Sequence, residues 1–475
     1  MTEPDSSLAA TSFRDPAGRV IRKNGKVFRQ VFPAGSRDYE AARDSGLFTE
    51  LIKRGWLIPH RELPVAELNG WPGGAAYILE PEQLDWVSYP YEWAFSAYKE
   101  AALLTLDAQQ LALEKGFILK DASAYNVQFW QGRPVLIDTL SFEPYAGNRA
   151  WQAYGQFCRH FLAPLALMTK VDIRLSCLMR DFIDGLPLDL AAATLPTRSK
   201  IRPGLMLHLS IHSSSQRRYA NKPVKQVIRR DEAGQKLARQ SLLGLTDSLR
   251  RTVKGLRLPR GAATEWGKYY SFTNYSDAAA AHKAELVREY TQLVKPVEIW
   301  DLGGNDGRFS REALAAGAQR ALCFDIDPLA VEKNYRYGRE QAETALTPLL
   351  LDATNPSPGI GWANAERPGL NERAGDGKGR MLLALAVIHH LAISNNLPFG
   401  HIAKWLAGLG EHLVIEFVPK DDSKVQTLLA TRKDIFDQYD QSVFEQTFRQ
   451  YFTILQQTSV RESGRQMYLM QRKRP

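Results

Sequence analysis

The sequence predicts an α/β chain built in two parts, a layered sheet of seven strands in the C-terminal half and a separate α+β domain ahead of it. Three observations carry the prediction. Seven short apolar runs recur after Thr264, helix-like stretches separate the early ones, and a strongly basic stretch divides them from a half whose short β-like runs follow a different grammar. At 475 residues the chain is long enough for two or three cores.

Residues 1–17 read as a flexible N-terminus without the basic-then-apolar character of a secretion signal. Residues 18–193 read as the α+β domain. "RVIRKNGKVFRQVF" is a hairpin turning at Asn24-Gly25, and a helix is expected over residues 38–54. "AAYILEP" is a strand, "EWAFSAYKEAALLTLDAQQLALEKG" a helix stopped by Gly116, and "NVQFWQGRPVLID" a second hairpin. Residues 194–263 read as a basic helical connector. Residues 194–260 carry sixteen Lys and Arg against three acidic residues, in a chain of formal charge +9. The pairs Arg217-Arg218, Arg229-Arg230 and Arg250-Arg251 suit phosphate, so nucleic acid is one possible partner there. Tyr219 is the stretch's one aromatic, which leaves base stacking little support and favours a solvated helix face.

Residues 264–475 hold the sheet, in "VEIWD", "RALCFDID", "TPLLLD", "RMLLALAV" and "EHLVIEFV", closed by the hairpin-like "FTILQQTSV" and "RQMYLMQRK". The Gly- and Pro-rich residues 355–379 are either a surface excursion or a lid. Hydrophobic content of 44% and charged content of 24% are ordinary for a globular protein. No apolar run reaches the roughly 18 residues that span a bilayer. Cys158, Cys177 and Cys323 match no metal or disulfide spacing, so we expect reduced thiols, no metal-ligand set, and a cytoplasmic location.

Chemistry concentrates at the ends of the predicted strands. In such a sheet, ligands bind beyond the carboxyl ends, where a glycine-rich turn lets backbone approach. "IWDLGGNDGRFS" puts Asp301 at the end of the first strand and Gly303, Gly304 and Gly307 in the turn, with a helix starting near Phe309. Asn305 tolerates the left-handed backbone a tight turn demands. Asp325 ends the second strand twenty-four positions on, where a carboxylate can accept from both hydroxyls of a ribose. Asp352 ends the third, where it can accept from an exocyclic adenine amine. A dinucleotide site is the competing reading. Its fingerprint sets the third glycine five positions after the first, whereas Gly303 and Gly307 are four apart.

These residues resemble the class I S-adenosylmethionine-dependent methyltransferases, over roughly residues 264–473. The family's first motif, acid-x-Gly-x-Gly-x-Gly, reads Asp301-Leu302-Gly303-Gly304-Asn305-Asp306-Gly307, with Asn305 at the middle glycine. The resemblance implies a Rossmann-like seven-stranded methyltransferase sheet and S-adenosylmethionine as cofactor. It further implies cofactor contacts from Asp301, Gly303, Gly304, Asn305, Gly307, Asp325, Ile326, Asp352, Ala353 and Ala384, with Ala386 beside the methionine side. The fourth motif falls in "LALAVIHHLAI", where His389 or His390 would serve as the base, imidazole titrating near neutrality. That motif lacks Asp/Asn-Pro-Pro-Tyr/Phe, and no Pro-Cys nucleophile occurs, which favours O- or N-methyl transfer to a non-nucleobase acceptor. Tyr269, Tyr270 and Tyr275 would shield the sulfonium, and Glu416 with Lys420-Asp421-Asp422 would reach the acceptor.

In the N-terminal half, "LKDASAYNVQFWQGRPVLIDTLSFE" sets Asp121 and Asn126 five apart and places Asp138 after a hairpin. The pattern resembles the catalytic loop and metal-binding Asp of the protein-kinase-like and aminoglycoside-phosphotransferase superfamily, which implies magnesium-ATP held at Asp121, Asn126 and Asp138. Leu119 stands where that family carries His, Thr139-Leu140 replaces Phe-Gly, and Lys26 or Arg29 must stand in for its strand lysine. The alternative function is therefore a bifunctional kinase-like methyltransferase. The plainer reading is a turn capped by its own Asp and Asn. The blocks "DWVSYPYEWAFSAYKEAALLTL" and "LAVIHHLAISNNLPF" look like the bacterial nodulation protein NoeA family, which implies methyl transfer without naming an acceptor.

Overall fold

The structure, a computed structural model, describes residues 6–8, 12–64, 71, 74–145, 147, 149–200, 202–211, 232–259, 261, 276–430 and 433–473. The chain divides into two compact units, Met1–Ala262 with Gly359–Pro368, and Ala263–Pro358 with Gly369–Pro475.

Unit 1 opens with five strands, β1 (Ser6–Leu8), β2 (Gly18–Lys23), β3 (Lys26–Val31), β4 (His60–Glu62) and β5 (Tyr77–Pro81), in the order β1-β2-β3-β5-β4. The start expected to be flexible thus contributes a strand, Leu8 pairing with Ile21. Asn24 and Gly25 take φ of 52° and 73°, the pair of left-handed residues that matches a two-residue turn to strand twist. The helix expected over residues 38–54 is two helices, Pro33–Asp44 and Leu47–Lys53, because Gly46 at φ 74° breaks the ladder between them. The helix Phe95–Glu114 is buried on most of its surface and stops before Gly116, whose φ is 84°. Two small pairs follow, β6 (Phe117–Leu119) with β9 (Phe142–Pro144) and β7 (Val127–Trp130) with β8 (Arg133–Leu136).

Part of the stretch expected as a connector belongs to the core of unit 1. The helix Glu232–Gly255 buries Ala238, Leu242, Thr246, Leu249 and Val253 at helical spacing and packs on the helix Phe95–Glu114. Arg250 Nε pairs with Asp107 Oδ1 at 2.5 Å, and Arg251 with Asp247 at 3.2 Å, so this basic pair is already engaged. Arg217-Arg218 and Arg229-Arg230 lie outside the described residues. Residues 359–368, from the excursion read as loop or lid, also join unit 1. Arg14 Nη2 donates to Glu366 at 2.8 Å, and the Arg367 guanidinium lies 4.8 Å from the Tyr125 ring centre.

Unit 2 is built on β10 (Glu298–Leu302), β11 (Arg320–Asp325), β12 (Leu346–Leu350), β13 (Arg380–Ala384), β14 (His412–Phe417), β15 (Phe452–Ser459) and β16 (Gln466–Arg472). Their order is β12-β11-β10-β13-β14-β16-β15; the first five run parallel and β16 is antiparallel to both neighbours. Every residue of β10 and β13 is buried, which is why these central strands read as unbroken apolar runs. On the edge, β15 alternates in burial along its length. One face of the sheet packs Ile299, Leu383, Val414 and Leu469 against Val287 and Tyr290 of the helix Asp277–Val294 and Phe309 and Ala313 of the helix Arg308–Ala315. Burial stabilises each large side chain there by roughly 1.5–3 kcal/mol. Chain order reverses between β10 and β13, and that is where a crevice opens beyond the carboxyl ends of the strands.

Candidate functional site

The crevice in unit 2 is a cavity of about 550 Å³ whose lining includes Lys283, Asp301, Gly303, Gly304, Asn305, Leu385 and Ala386. The loop after β10 makes its wall. Gly303 N and Gly304 N both donate to Phe324 O, at 2.8 and 2.9 Å, which ties the loop to β11. A Cβ on Gly304 would sit 2.5 Å from Cys323 Sγ and 2.7 Å from Asp301 Oδ2, so only bare backbone fits. Asn305 has φ 50° and donates its N–H to Asp325 Oδ2 at 2.8 Å. Gly307, at φ 81°, caps the following helix, and its Cβ would meet the Asn334 amide at 2.6 Å. Ala386 also holds a left-handed φ of 56° at the cavity wall, strain of the kind that collects at binding sites.

The three strand-end aspartates share the carboxyl edge but not one environment. Asp301 lines the cavity, is 1% exposed, and accepts from Ser310 Oγ at 2.8 Å. Burial pushes its carboxyl up to about 6, against the pull of Ser310 and of the Lys283 ammonium. Asp325 lies under the loop, accepting from Asn305 N and from Asp327 N at 2.8 Å, and burial raises it to about 6 as well. It is not among the lining residues, and neither are Gly307, Ile326, Asp352, Ala353 and Ala384. Ile326 is 56% exposed beside Asp325, an apolar surface next to an acid. Asp352 lies two residues past β12 and accepts from Thr354 N and Oγ1 at 2.8 and 2.6 Å.

His389 and His390 follow β13, their rings 4.1 Å apart, and neither lines the cavity. Burial pushes His389 well below its ordinary value, with His390, Arg465 and Lys283 adding to the shift, and brings His390 down to about 4. Burial thus favours the neutral imidazole in both and makes each a weaker base than an exposed histidine. His389 Nδ1 is buried without a hydrogen-bond partner among the described residues. Tyr269, Tyr270 and Tyr275 lie outside the described residues.

In unit 1 the fold draws Asp121, Asn126 and Asp138 into one hydrogen-bonded cluster. Asn126 Nδ2 donates to Ser141 Oγ at 3.4 Å, and Ser141 Oγ donates to Asp138 Oδ2 at 2.7 Å. Arg29, from β3, pairs with Asp138 Oδ1 at 2.6 Å, so of the two cations weighed for that role it is the one in place; Lys26 pairs instead with Glu80. Three of the cluster's carboxylate oxygens are engaged within the unit. Asp138 Oδ1 also accepts from Leu140 N, and Asp121 Oδ1 accepts from Ser123 N and Gln156 Nε2. Among the described residues no group of three or more His, Cys, Asp or Glu is arranged to hold a metal ion. We derive no phosphoryl-transfer step from the cluster of Asp121, Asn126 and Asp138.

No protein-family profile matches the chain. Over 469 residues, 99% of this chain and 97% of the relative, it is 33% identical to nodulation protein NoeA of Rhizobium meliloti (strain 1021). The chain belongs to the NoeA family. Likenesses among solved structures are weaker. WbdD is 18% identical with a TM-score of 0.29, over 44% of this chain and 43% of that one. Magnesium protoporphyrin IX methyltransferase from Synechocystis, solved with bound S-adenosylhomocysteine, is 15% identical with a TM-score of 0.30, over 44% of this chain and 93% of that one. At such scores the NoeA-family site rests on its own geometry. Among the described residues no helix is long and apolar enough to cross a membrane.

Sequence reasoning missed the charges behind the cavity. Lys283, in the helix before β10, donates to Glu416 Oε2 of β14 at 2.6 Å, with exposures of 3% and 0%. Arg465 Nη1 reaches Glu416 Oε1 at 3.4 Å, and its Nε donates to Asp422 Oδ2 at 2.8 Å. Glu416 and Asp422, expected to face an acceptor, are instead held in this buried network. Lys283 carried no motif signal, since its partner is 133 positions away.

Proposed function

We propose that unit 2 binds S-adenosylmethionine and transfers its methyl group to an oxygen or nitrogen of an acceptor other than a nucleobase. The observation that carries this reading is the bare-backbone loop Gly303–Gly304–Asn305, lining a cavity of about 550 Å³ at the chain reversal between β10 and β13. Gly303 and Gly304 admit a ligand against their backbone. Asp325 stands at the next strand end, its carboxylate fixed by two N–H groups and still able to accept from a ribose, because carboxylate oxygens take more than one donor. Exposed Ile326 offers an apolar surface for the adenine ring. Ala386 keeps the other wall narrow.

Bound there, the cofactor supplies a methyl group already activated on a sulfonium. The chain then has to align the acceptor, exclude water and take up one proton. Neither His389 nor His390 lines the cavity and burial weakens both as bases, so we assign the proton to neither. The test is incubation of the full chain with methyl-labelled S-adenosylmethionine and fractionated bacterial extract, read by mass spectrometry. Label is expected in a fraction free of nucleic acid, with the mass gain of one methylene. Label on a nucleobase, or none in any fraction despite bound cofactor, would overturn the reading.

A further inference from the structure

Unit 1 holds a pair of cations that neither methyl transfer in unit 2 nor the cluster at Asp121 uses. We propose that Arg159 and Arg367 form a binding site for a phosphate group, backed by the buried ring of His160. The inference is independent of the cofactor reading for unit 2.

Three segments meet there, around Tyr125. Arg159 and His160 lie in Cys158–Leu162, a turn of π-helix, a form that occurs mostly as single turns and frequently at functional sites. Tyr98 donates its hydroxyl to the His160 carbonyl, and Leu186 N donates to Arg159 O at 3.0 Å, so the backbone of the turn is held from two sides. Gly185 comes against it without a side chain: a Cβ there would stand 2.7 Å from Arg159 Cβ and 2.9 Å from His160 Cδ2. The third segment is residues 359–368 of the same unit. Its Arg367 guanidinium lies 4.8 Å from the Tyr125 ring centre, and the Tyr125 and His160 rings stand edge to face with centres 6.2 Å apart. A Cβ on Gly361 would meet Ile183 Cδ1 at 2.9 Å, which packs this segment on the stretch that carries Gly185.

Bonding in this group is incomplete. Arg159 makes no ion pair among the described residues, and its Nε is buried there without a hydrogen-bond partner. His160 is 3% exposed, and its Nδ1 is likewise unpartnered. Buried polar atoms left this way are costly, and a missing anion accounts for them. Burial, with Arg159 and Arg367 adding to it, pushes His160 down to about 3, so the ring is neutral and the positive charge belongs to the two arginines. The acids nearby serve another cation: Glu366, which also faces Arg367, accepts from Arg14 Nη2 at 2.8 Å and from Trp362 N at 3.1 Å, and Asp184 faces Arg14 as well. Arg159 and Arg367 are each partly exposed, so an anion reaches their outer nitrogens from solvent while the stems stay packed. Two planar guanidinium groups offer paired N–H donors to more oxygens than one carboxylate carries, which selects phosphate.

The experiment follows broadening of the phosphorus magnetic resonance of inorganic phosphate, and separately of glycerol phosphate, by the full chain at fixed ionic strength, with acetate as competitor. Saturable broadening that equimolar acetate does not relieve is expected for at least one probe. A stronger response to glycerol phosphate makes the ligand a phosphate ester, and a stronger response to the free ion makes it inorganic phosphate; either supports the site. Arg159→Met is expected to weaken binding at least about tenfold, the usual consequence of losing hydrogen bonds from a charged donor, and Arg367→Met to do the same. Arg251→Met, which removes an exposed arginine already paired with Asp247, is expected to stay within about twofold. Arg367→Met decides the matter if Arg159→Met does not fold, because its side chain comes from a surface segment. Four results would overturn the assignment: no saturable binding of either probe on the order of tens of millimolar, displacement by equimolar acetate, undiminished binding in whichever variant folds, or an equal loss in Arg251→Met.

Discussion

Asp301 is the residue at which the site's electrostatics can be titrated. Its carboxyl rises from an ordinary 3.8 to about 6 because burial penalises the charge. The ligand-free fold is therefore favoured by the neutral acid: this contribution is full below about pH 4 and is lost as pH rises through about 6. A cationic group of a bound ligand beside the carboxylate would reverse the preference. Affinity for S-adenosylhomocysteine is accordingly expected to be flat above pH 7 and to fall by about tenfold per pH unit below about 6, with protons released on binding near that pH. Asp325, also raised to about 6, steepens the fall if its carboxylate takes the ribose. Titration calorimetry in buffers of different ionisation heat measures both effects. An affinity that stays constant from pH 7 down to pH 5 would contradict a cavity acid that binds as its anion.

Among the elements, the loop after β10 shows how far sequence reasoning reached. Its glycines, the strand ends on either side and the left-handed turn at Asn305 are local features, and local spacing exposed them. The prediction at this scale concerns backbone alone. Asn305 holds φ 50°, a region open to Gly and Asn but costly for a β-branched residue. Asn305→Gly is expected to keep affinity for S-adenosylhomocysteine within about threefold, whereas Asn305→Val is expected to lose at least about tenfold, because strain of about 1–3 kcal/mol falls on the loop. Equal behaviour of the two variants would mean that the side chain, not the turn, matters. Elements whose partners are distant in sequence were harder to read. The Lys283–Glu416 pair depends on the helix Asp277–Val294 crossing the end of β14, and no pattern in either segment announces it. The break at Gly46 and the pairing of β1 were missed for related reasons: one residue's backbone decided the first, and a neighbouring strand created the second.

For the whole molecule, the alternation of apolar runs and helices in unit 2 made its class legible before any contact was known, while the order of its strands is read from the structure alone. Unit 1 was legible as short strands, a long helix and a second hairpin, and Asp121, Asn126 and Asp138, singled out by their spacing, lie near one another in the structure. The spacing could not reveal that Arg29 and Gln156 engage the carboxylates, because that depends on β3 and on the segment around residue 156 folding back onto the cluster. Nor could composition show that a helix within the basic stretch has an apolar face that belongs to a core. The central claim is that the bare-backbone cavity of unit 2 holds an adenosyl cofactor. Equilibrium dialysis of labelled S-adenosylmethionine against the full chain and against Gly304→Val, whose side chain must enter space held by Cys323 and Asp301, tests it most directly. The account predicts one molar equivalent bound by the unaltered chain and loss of that binding in a variant that remains folded; no binding at millimolar cofactor, or undiminished binding in Gly304→Val, would contradict it.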